Sequence, residues 1–412
     1  TTAGADGRWQ VRLQPMKAGG PFTLTIAGKN KIVLSDILVG EVWLASGQSN
    51  MERKLGPQLG MQPITHEAQE IAEAKHPRIR HFGVAQVKSF TPLETVAGTW
   101  TVCSPETAKD FTAVGYFFAC DLQQARDVPV GIINTSWGGT PAEAWTSEAG
   151  LRGLPDFAHI KDELKLLQAN PKAALSKYEG ELESWMSAHD AGSARQQQAW
   201  YAGGLDTSAW KPMGLPTLWE EAGEPEVNGV VWFRKSFELP ASAAGAPAEL
   251  HLSMVDDVDT TWVNGVKVGF TFGYNVQRTY QVPAGVLKAG ANLIAVRVLD
   301  TGGGGGIWGD KKIQLLGKGL SPSASVDLSG SWQYRIGMHL QDAPASPTAH
   351  TGDSGTPTML WNGMIAPLVP YAMRGAIWYQ GEGNVQRERQ YRTLFPAMIA
   401  DWRRAWGQGE FP

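Results

Sequence analysis

An α/β domain interrupted by an all-β insert is the architecture this sequence predicts, on three observations. Apolar strand-like runs end at small and polar residues in three places, around Ser46-Gly47-Gln48-Ser49-Asn50, Asn134-Thr135-Ser136-Trp137-Gly138-Gly139-Thr140 and Gln380-Gly381-Glu382-Gly383-Asn384. Helical stretches separate the first two, as a parallel sheet requires. Between Trp210 and Leu316 helical spacing gives way to short β-branched runs and Gly-rich turns, the pattern of a β-sandwich.

The elements follow in order. Phe22–Ile26 and Lys31–Leu34, parted by Gly28-Lys29-Asn30, predict a β-hairpin, and residues 1–36 form the end of a β-rich region. Ile37–Ala45 is nearly continuous apolar, as expected of a strand covered on both faces. His66–Lys75 and Val114–Arg126 have helical spacing, and Arg78–Phe82 and Val130–Asn134 are strands. From Pro155 to about Gly203 the Ala, Glu, Lys, Leu and Gln pattern predicts a helical hairpin broken at Pro171, which closes the first part of the α/β domain, 37–203. The β insert occupies 204–320, with Val230–Phe237, Glu249–Met254, Thr260–Val263 before Asn264-Gly265, and Asn292–Val298 as strands. Ser321–Ser331 is a small-residue connector into the second part, 321–412, where Gly375–Gln380 is a buried strand and Glu388–Trp406 a helix.

Composition narrows the function classes. At 412 residues the chain is long enough for two or three domains of roughly 150 residues each. Its 36 Lys and Arg against 40 Asp and Glu leave a formal charge of −4, too balanced for an electrostatic nucleic-acid binder. No apolar run reaches the roughly 18 residues a membrane span needs. The 17 Trp and few Lys point to an exported protein, secreted or periplasmic, the 48 Gly favour turn-rich β structure, and indoles often stack on sugars. Thr1–Gln10 has no basic or apolar leader, so any secretion signal is expected to be removed or never present. Cys103 and Cys120 allow one disulfide or two free thiols.

Chemistry concentrates at the three strand ends, where α/β sheets carry their sites. In Gly47-Gln48-Ser49-Asn50-Met51, glycine permits a tight turn and the Ser49 hydroxyl can project above the sheet as a nucleophile; the plainer role is to cap the next helix. Met51 stands where the Gly-x-Ser-x-Gly elbow has its second glycine. Gly138-Gly139 lets main-chain N–H groups approach an anion, as an oxyanion hole requires, although paired glycines also make ordinary turns. Gln380, Glu382 and Asn384 present amides and a carboxylate that could serve an oxyanion or brace loops.

Together the blocks Gly47-Gln48-Ser49-Asn50-Met51-Glu52, Trp137-Gly138-Gly139-Thr140 and Trp378-Tyr379-Gln380-Gly381-Glu382 resemble the sialate O-acetylesterase family of SGNH hydrolases, in the family's order and over about 37–145 and 375–406. The resemblance implies a three-layer α/β/α SGNH-type parallel sheet and a galactose-binding-like sandwich as the insert. It implies Ser49 as nucleophile, the Ser49 and Gly139 N–H groups and the Gln380 amide as oxyanion donors, Asn384 as the alternative amide and Glu382 as support. The expected reaction removes O-acetyl groups from a carbohydrate, sialic acid or an acetylated polysaccharide such as xylan, through an acetyl-enzyme and without a cofactor or metal. The alternative is a catalytically silent protein that binds carbohydrate through the insert.

Family members carry an Asp-x-x-His after the third block, where His activates serine and Asp orients it. This sequence has that spacing only at Asp156–His159, in the wrong chain order, while His339 and His350 precede the third block. A second chain or a cleaved C-terminal fragment is therefore expected to supply the catalytic His and Asp. Among other features, Gly302–Gly306 lacks the Gly-Lys-Ser/Thr of a phosphate loop and reads as a flexible loop. Asp256-Asp257-Val258-Asp259 offers oxygen ligands without EF-hand spacing and reads as a solvated turn. Of Trp210, Trp219, Trp232, Trp262 and Trp308, the last is the best placed to face a sugar, and Trp232 and Trp262 fit a core.

Overall fold

The computed structural model describes residues 1–11, 13–59, 61–193, 198–224, 227–317 and 325–412. Two compact units form, one from Thr1–Ala174 with His350–Pro412 and the other from Leu175–Ala349.

The first unit is α/β. Its five-stranded sheet runs Gly375–Tyr379, Glu41–Gly47, Val130–Ser136, His76–Gly83, Trp100–Cys103 in space; the first four are parallel and the last is antiparallel. Neighbouring residues of one strand enter different apolar clusters, as period-2 geometry demands. Leu44 and Ile133 pack with Trp145, Leu360, Met364 and Trp402, whereas Ala45 and Ile132 pack with Met51, Ile79, Tyr116 and Ala119. The helices Glu388–Trp406 and Ala113–Arg126 supply those two clusters, so both faces of the central strands are dry. Cys103 and Cys120 are unpaired, and burial pushes their thiols up to about 12 and about 11, which keeps both protonated and inert.

One expected element differs. The apolar run Ile37–Ala45, expected as a single strand, is two: Lys31–Val39 pairs antiparallel with Gly19–Ala27, and Glu41–Gly47 enters the sheet. The break falls at Gly40, where a β-carbon would stand 2.0 Å from the Pro129 carbonyl oxygen, so the chain turns where it touches another backbone.

The second unit is antiparallel throughout. One six-stranded sheet runs Val266–Phe272, Val258–Val263, Gly290–Asp300, Gly229–Leu239, Gly330–His339, Lys211–Leu215. The other runs Ser325–Asp327, Gln314–Gly317, Ala248–Asp256, Gly306–Trp308, Thr217–Leu218, with Gln277–Val282 also on Ala248–Asp256. One apolar cluster takes residues from both sheets, among them Phe233, Leu250, Leu252, Val296, Ile307 and Trp332. Strands continue past the residues expected as a connector, to His339, because Trp332 and Tyr334 alternate into that cluster; the first part of that connector, 321–324, lies outside the described residues. Trp210, Trp219, Trp232 and Trp262 are buried and cannot form a sugar platform, and Trp308 is half-buried with its indole N–H on the Tyr274 carbonyl. Nor is the Asp256–Asp259 segment a solvated turn. Asp259 is fully buried, accepting from Arg278 Nε at 3.0 Å, Tyr280 Oη at 2.7 Å and Thr261 Oγ1 at 2.7 Å.

Candidate active site

The site lies at the carboxyl ends of three adjacent parallel strands, those ending at Gly47, Ser136 and Tyr379. Gly47 has φ +140°, and a β-carbon there would stand 2.1 Å from the Tyr379 carbonyl oxygen, so only glycine lets the two strands approach. The chain then turns into the short helix Ser49–Glu52, whose first residue is Ser49, half-buried at the mouth of the sheet.

Hydrogen bonds tie the three loops in every pairing. The first and third are joined by Gln48 N–H to the Tyr379 carbonyl at 2.9 Å, by Gly381 and Gly383 N–H to the buried Gln48 Oε1 at 3.3 and 2.9 Å, and by Asn50 Nδ2 to Glu382 Oε1 at 2.9 Å. First and second are joined by Trp137 N–H to the Gly47 carbonyl at 3.1 Å and by Gly138 N–H to Glu52 Oε2 at 2.5 Å. The other Glu52 oxygen accepts from Gln86 Nε2 at 2.9 Å. Second and third are joined through Asn384, 2 % exposed, whose Oδ1 accepts from Ala142 N–H at 2.8 Å and Gln380 Nε2 at 2.6 Å, and whose Nδ2 donates to Glu143 Oε2 at 2.9 Å. Arg387 completes this group by an ion pair to Glu143 at 2.5 Å.

These bonds leave particular donors open. A β-carbon on Gly138 would lie 3.6 Å from Ser49 Cβ, so the glycine loop passes directly beside the serine. Gly139 has φ +72°, a conformation suited to glycine, with open space around it. Among the described residues, neither the Ser49 hydroxyl nor the main-chain N–H groups of Ser49 and Gly139 have a hydrogen-bond partner. Gln380 differs, since Nε2 is committed to the Thr140 carbonyl at 3.2 Å and to Asn384, while its Oε1 is buried without a partner. Asn384 is likewise engaged on both ends, and Glu382 holds Asn50.

Histidines stand elsewhere. Asp156 and His159 are both exposed on the turn before helix Ile160–Ala169. His350 is held by burial below the usual imidazole range, with Glu163 at 4.0 Å. His339 ends a strand of the other unit. Among the described residues no histidine is bonded to Ser49. Gln86, Glu143 and Arg387 were not indicated by the sequence, because each is an isolated polar residue whose partner is fixed by topology. Gln48 and Glu52 sit inside the first motif, and their positions beside Ser49 were the available signal.

No family model matches the chain. It is 32% identical to the sialate O-acetylesterase of Rattus norvegicus over 169 residues, which are 37% of this chain and 30% of that protein. With the sialate O-acetylesterase of Homo sapiens it shares 34% identity over 168 residues, 37% of this chain and 31% of the relative. Over that stretch the chain is similar to the sialate O-acetylesterases. The match spans about a third of the length of these relatives. A solved carbohydrate acetylesterase from Xanthomonas citri has a TM-score of 0.48 at 21% identity, covering 99% of this chain and 48% of that one. Among the described residues no helix is long and apolar enough to cross a membrane.

Proposed function

We propose that the first unit is the nucleophile-bearing part of a carbohydrate O-acetylesterase, acting on acetylated sialic acid or polysaccharide, and that the second unit is a galactose-binding-like sandwich inserted into it. The observation that carries this is the grouping of a free serine hydroxyl with two free main-chain N–H groups, at a sheet end where hydrogen bonds from Gln48, Asn50, Glu52 and Asn384 hold three loops together. Ser49 Oγ attacks the acetyl carbonyl carbon and gives its proton to a base. The carbonyl oxygen becomes an oxyanion held by the Ser49 and Gly139 N–H groups, each donor worth about 3 kcal/mol of barrier. The sugar oxygen leaves with the proton from the base, and water cleaves the acetyl-serine by the same steps. Gln380 serves as a third donor if it releases Asn384; otherwise it braces the loops with Asn384 and Glu382.

The base and its carboxylate in this scheme come from a segment of the Asp-x-x-His type outside the described residues, among which no histidine is bonded to Ser49. Hydrolysis of 4-nitrophenyl acetate and of O-acetylated sialic acid tests both parts, with the chain alone and with an Asp-x-x-His segment of a relative added. Turnover is expected with the added segment and is lost in Ser49→Ala. Ordinary turnover by the chain alone overturns the second-segment requirement, and turnover retained in Ser49→Ala removes Ser49 from the mechanism.

A further inference from the structure

We infer that the second unit holds a divalent cation, Ca²⁺ by its ligand chemistry, between the carboxylates of Asp256, Asp257 and Asp300. One oxygen from each lies within 4.8 Å of the others. That is no wider than the span across a Ca²⁺ ion with oxygens at about 2.4 Å on opposite sides.

The partners already made by these side chains show which oxygens remain. Asp257 Oδ2 accepts from Thr301 N–H at 2.9 Å and from its hydroxyl, and Asp300 Oδ1 accepts from Gly302 N–H at 2.8 Å. Asp300 is 0 % exposed, yet its Oδ2 has no hydrogen-bond partner. A buried carboxylate oxygen without a donor is costly, and a cation is one of the few groups able to satisfy it beside two further carboxylates. Among the described residues no Lys, Arg or His forms an ion pair with any of the three. Arg278, the nearby cation, spends Nε on Asp259, Nη1 on the Gly273 and Val276 carbonyls and Nη2 on the Asp257 carbonyl.

The cluster also explains why the sequence motif misleads. Asp256 and Asp257 belong to the run Asp256-Asp257-Val258-Asp259, but Asp259 points to Arg278, and the third carboxylate comes from the end of a different strand, Gly290–Asp300. Hard oxygen ligands of this kind suit Ca²⁺, which accepts irregular geometry, better than Mg²⁺, which demands near-octahedral geometry.

Protein stripped with chelator and dialysed is titrated with CaCl₂ by isothermal calorimetry and by thermal melting, with MgCl₂ in parallel. The expected result is one Ca²⁺ per chain, a melting temperature that rises saturably with Ca²⁺, and at least tenfold weaker binding in Asp300→Asn, which keeps the bond from Gly302. Asp256→Asn, at a half-buried position, gives the same weakening and serves if Asp300→Asn does not fold. No heat and no shift at millimolar Ca²⁺ overturns the site in favour of shared protons among the carboxyls. Equal binding by wild type and both variants overturns the assignment of these residues, and a shift with Mg²⁺ of equal size overturns the choice of Ca²⁺.

Discussion

Buried polar groups are arranged differently in the two units. In the antiparallel unit the network around Asp259 closes on itself: Asp259 and Arg278, both fully buried, are paired at 3.0 Å, and Tyr280 and Thr261 take up further acceptor sites of Asp259. In the parallel unit Gln48, Glu143 and Asn384 are as deeply buried, yet their bonds end at a mouth where the Ser49 hydroxyl and two main-chain donors have nothing to bind. A closed network fixes a fold, whereas one held rigid and left open on one side is prepared for a reacting group.

The sharpest way to break this comparison is Ser49→Ala, which is expected to lower acetate release by about 10⁴-fold or more in the complemented enzyme, with the melting temperature unchanged. A large fall in stability instead would place Ser49 in a closed network like that of Asp259. In the other unit Asp259→Ala is expected to cost about 3–5 kcal/mol, because it strands the buried Arg278 charge, and urea unfolding followed by tryptophan fluorescence measures it. Asn384→Ala removes two bonds between the second and third loops and one within the third, and should reduce kcat by about 10²-fold while KM moves little. An equal effect on KM would mean that the loops shape binding and not the oxyanion hole.

The last prediction concerns pH. Burial holds His81, stacked on Phe111, at about 4, below the 6.5 of a free imidazole. The unfolded chain therefore takes up this proton first, so stability is full above pH 6.5 and falls as pH drops toward 4, by up to about 1.4 kcal/mol per unit. His81→Phe should flatten that slope in unfolding measured between pH 4 and 7, and an unchanged slope would assign it to other groups.

The sequence made legible whatever depends on local pattern. Helix Glu388–Trp406 and strand Gly375–Tyr379 lie where periodicity places them, and the three polar blocks occur at strand ends as their composition demands. The break at Gly40 was hidden, since an apolar run looks the same whether or not its glycine touches Pro129, in the loop before the strand Val130–Ser136. The occupation of Gln380 was hidden for the same reason. Whether an amide is free to donate depends on Asn384 and Thr140, which chain topology brings to it.

The pairing of Trp43 with Gly375 has a consequence for biosynthesis. At roughly 5–20 residues per second, a ribosome needs on the order of half a minute between making one partner and the other. Throughout that interval the strand Glu41–Gly47 waits with one edge bare, ready to recruit any extended segment nearby. Whatever shields that edge, a chaperone or the early collapse of the helices around it, governs how much active protein a cell recovers.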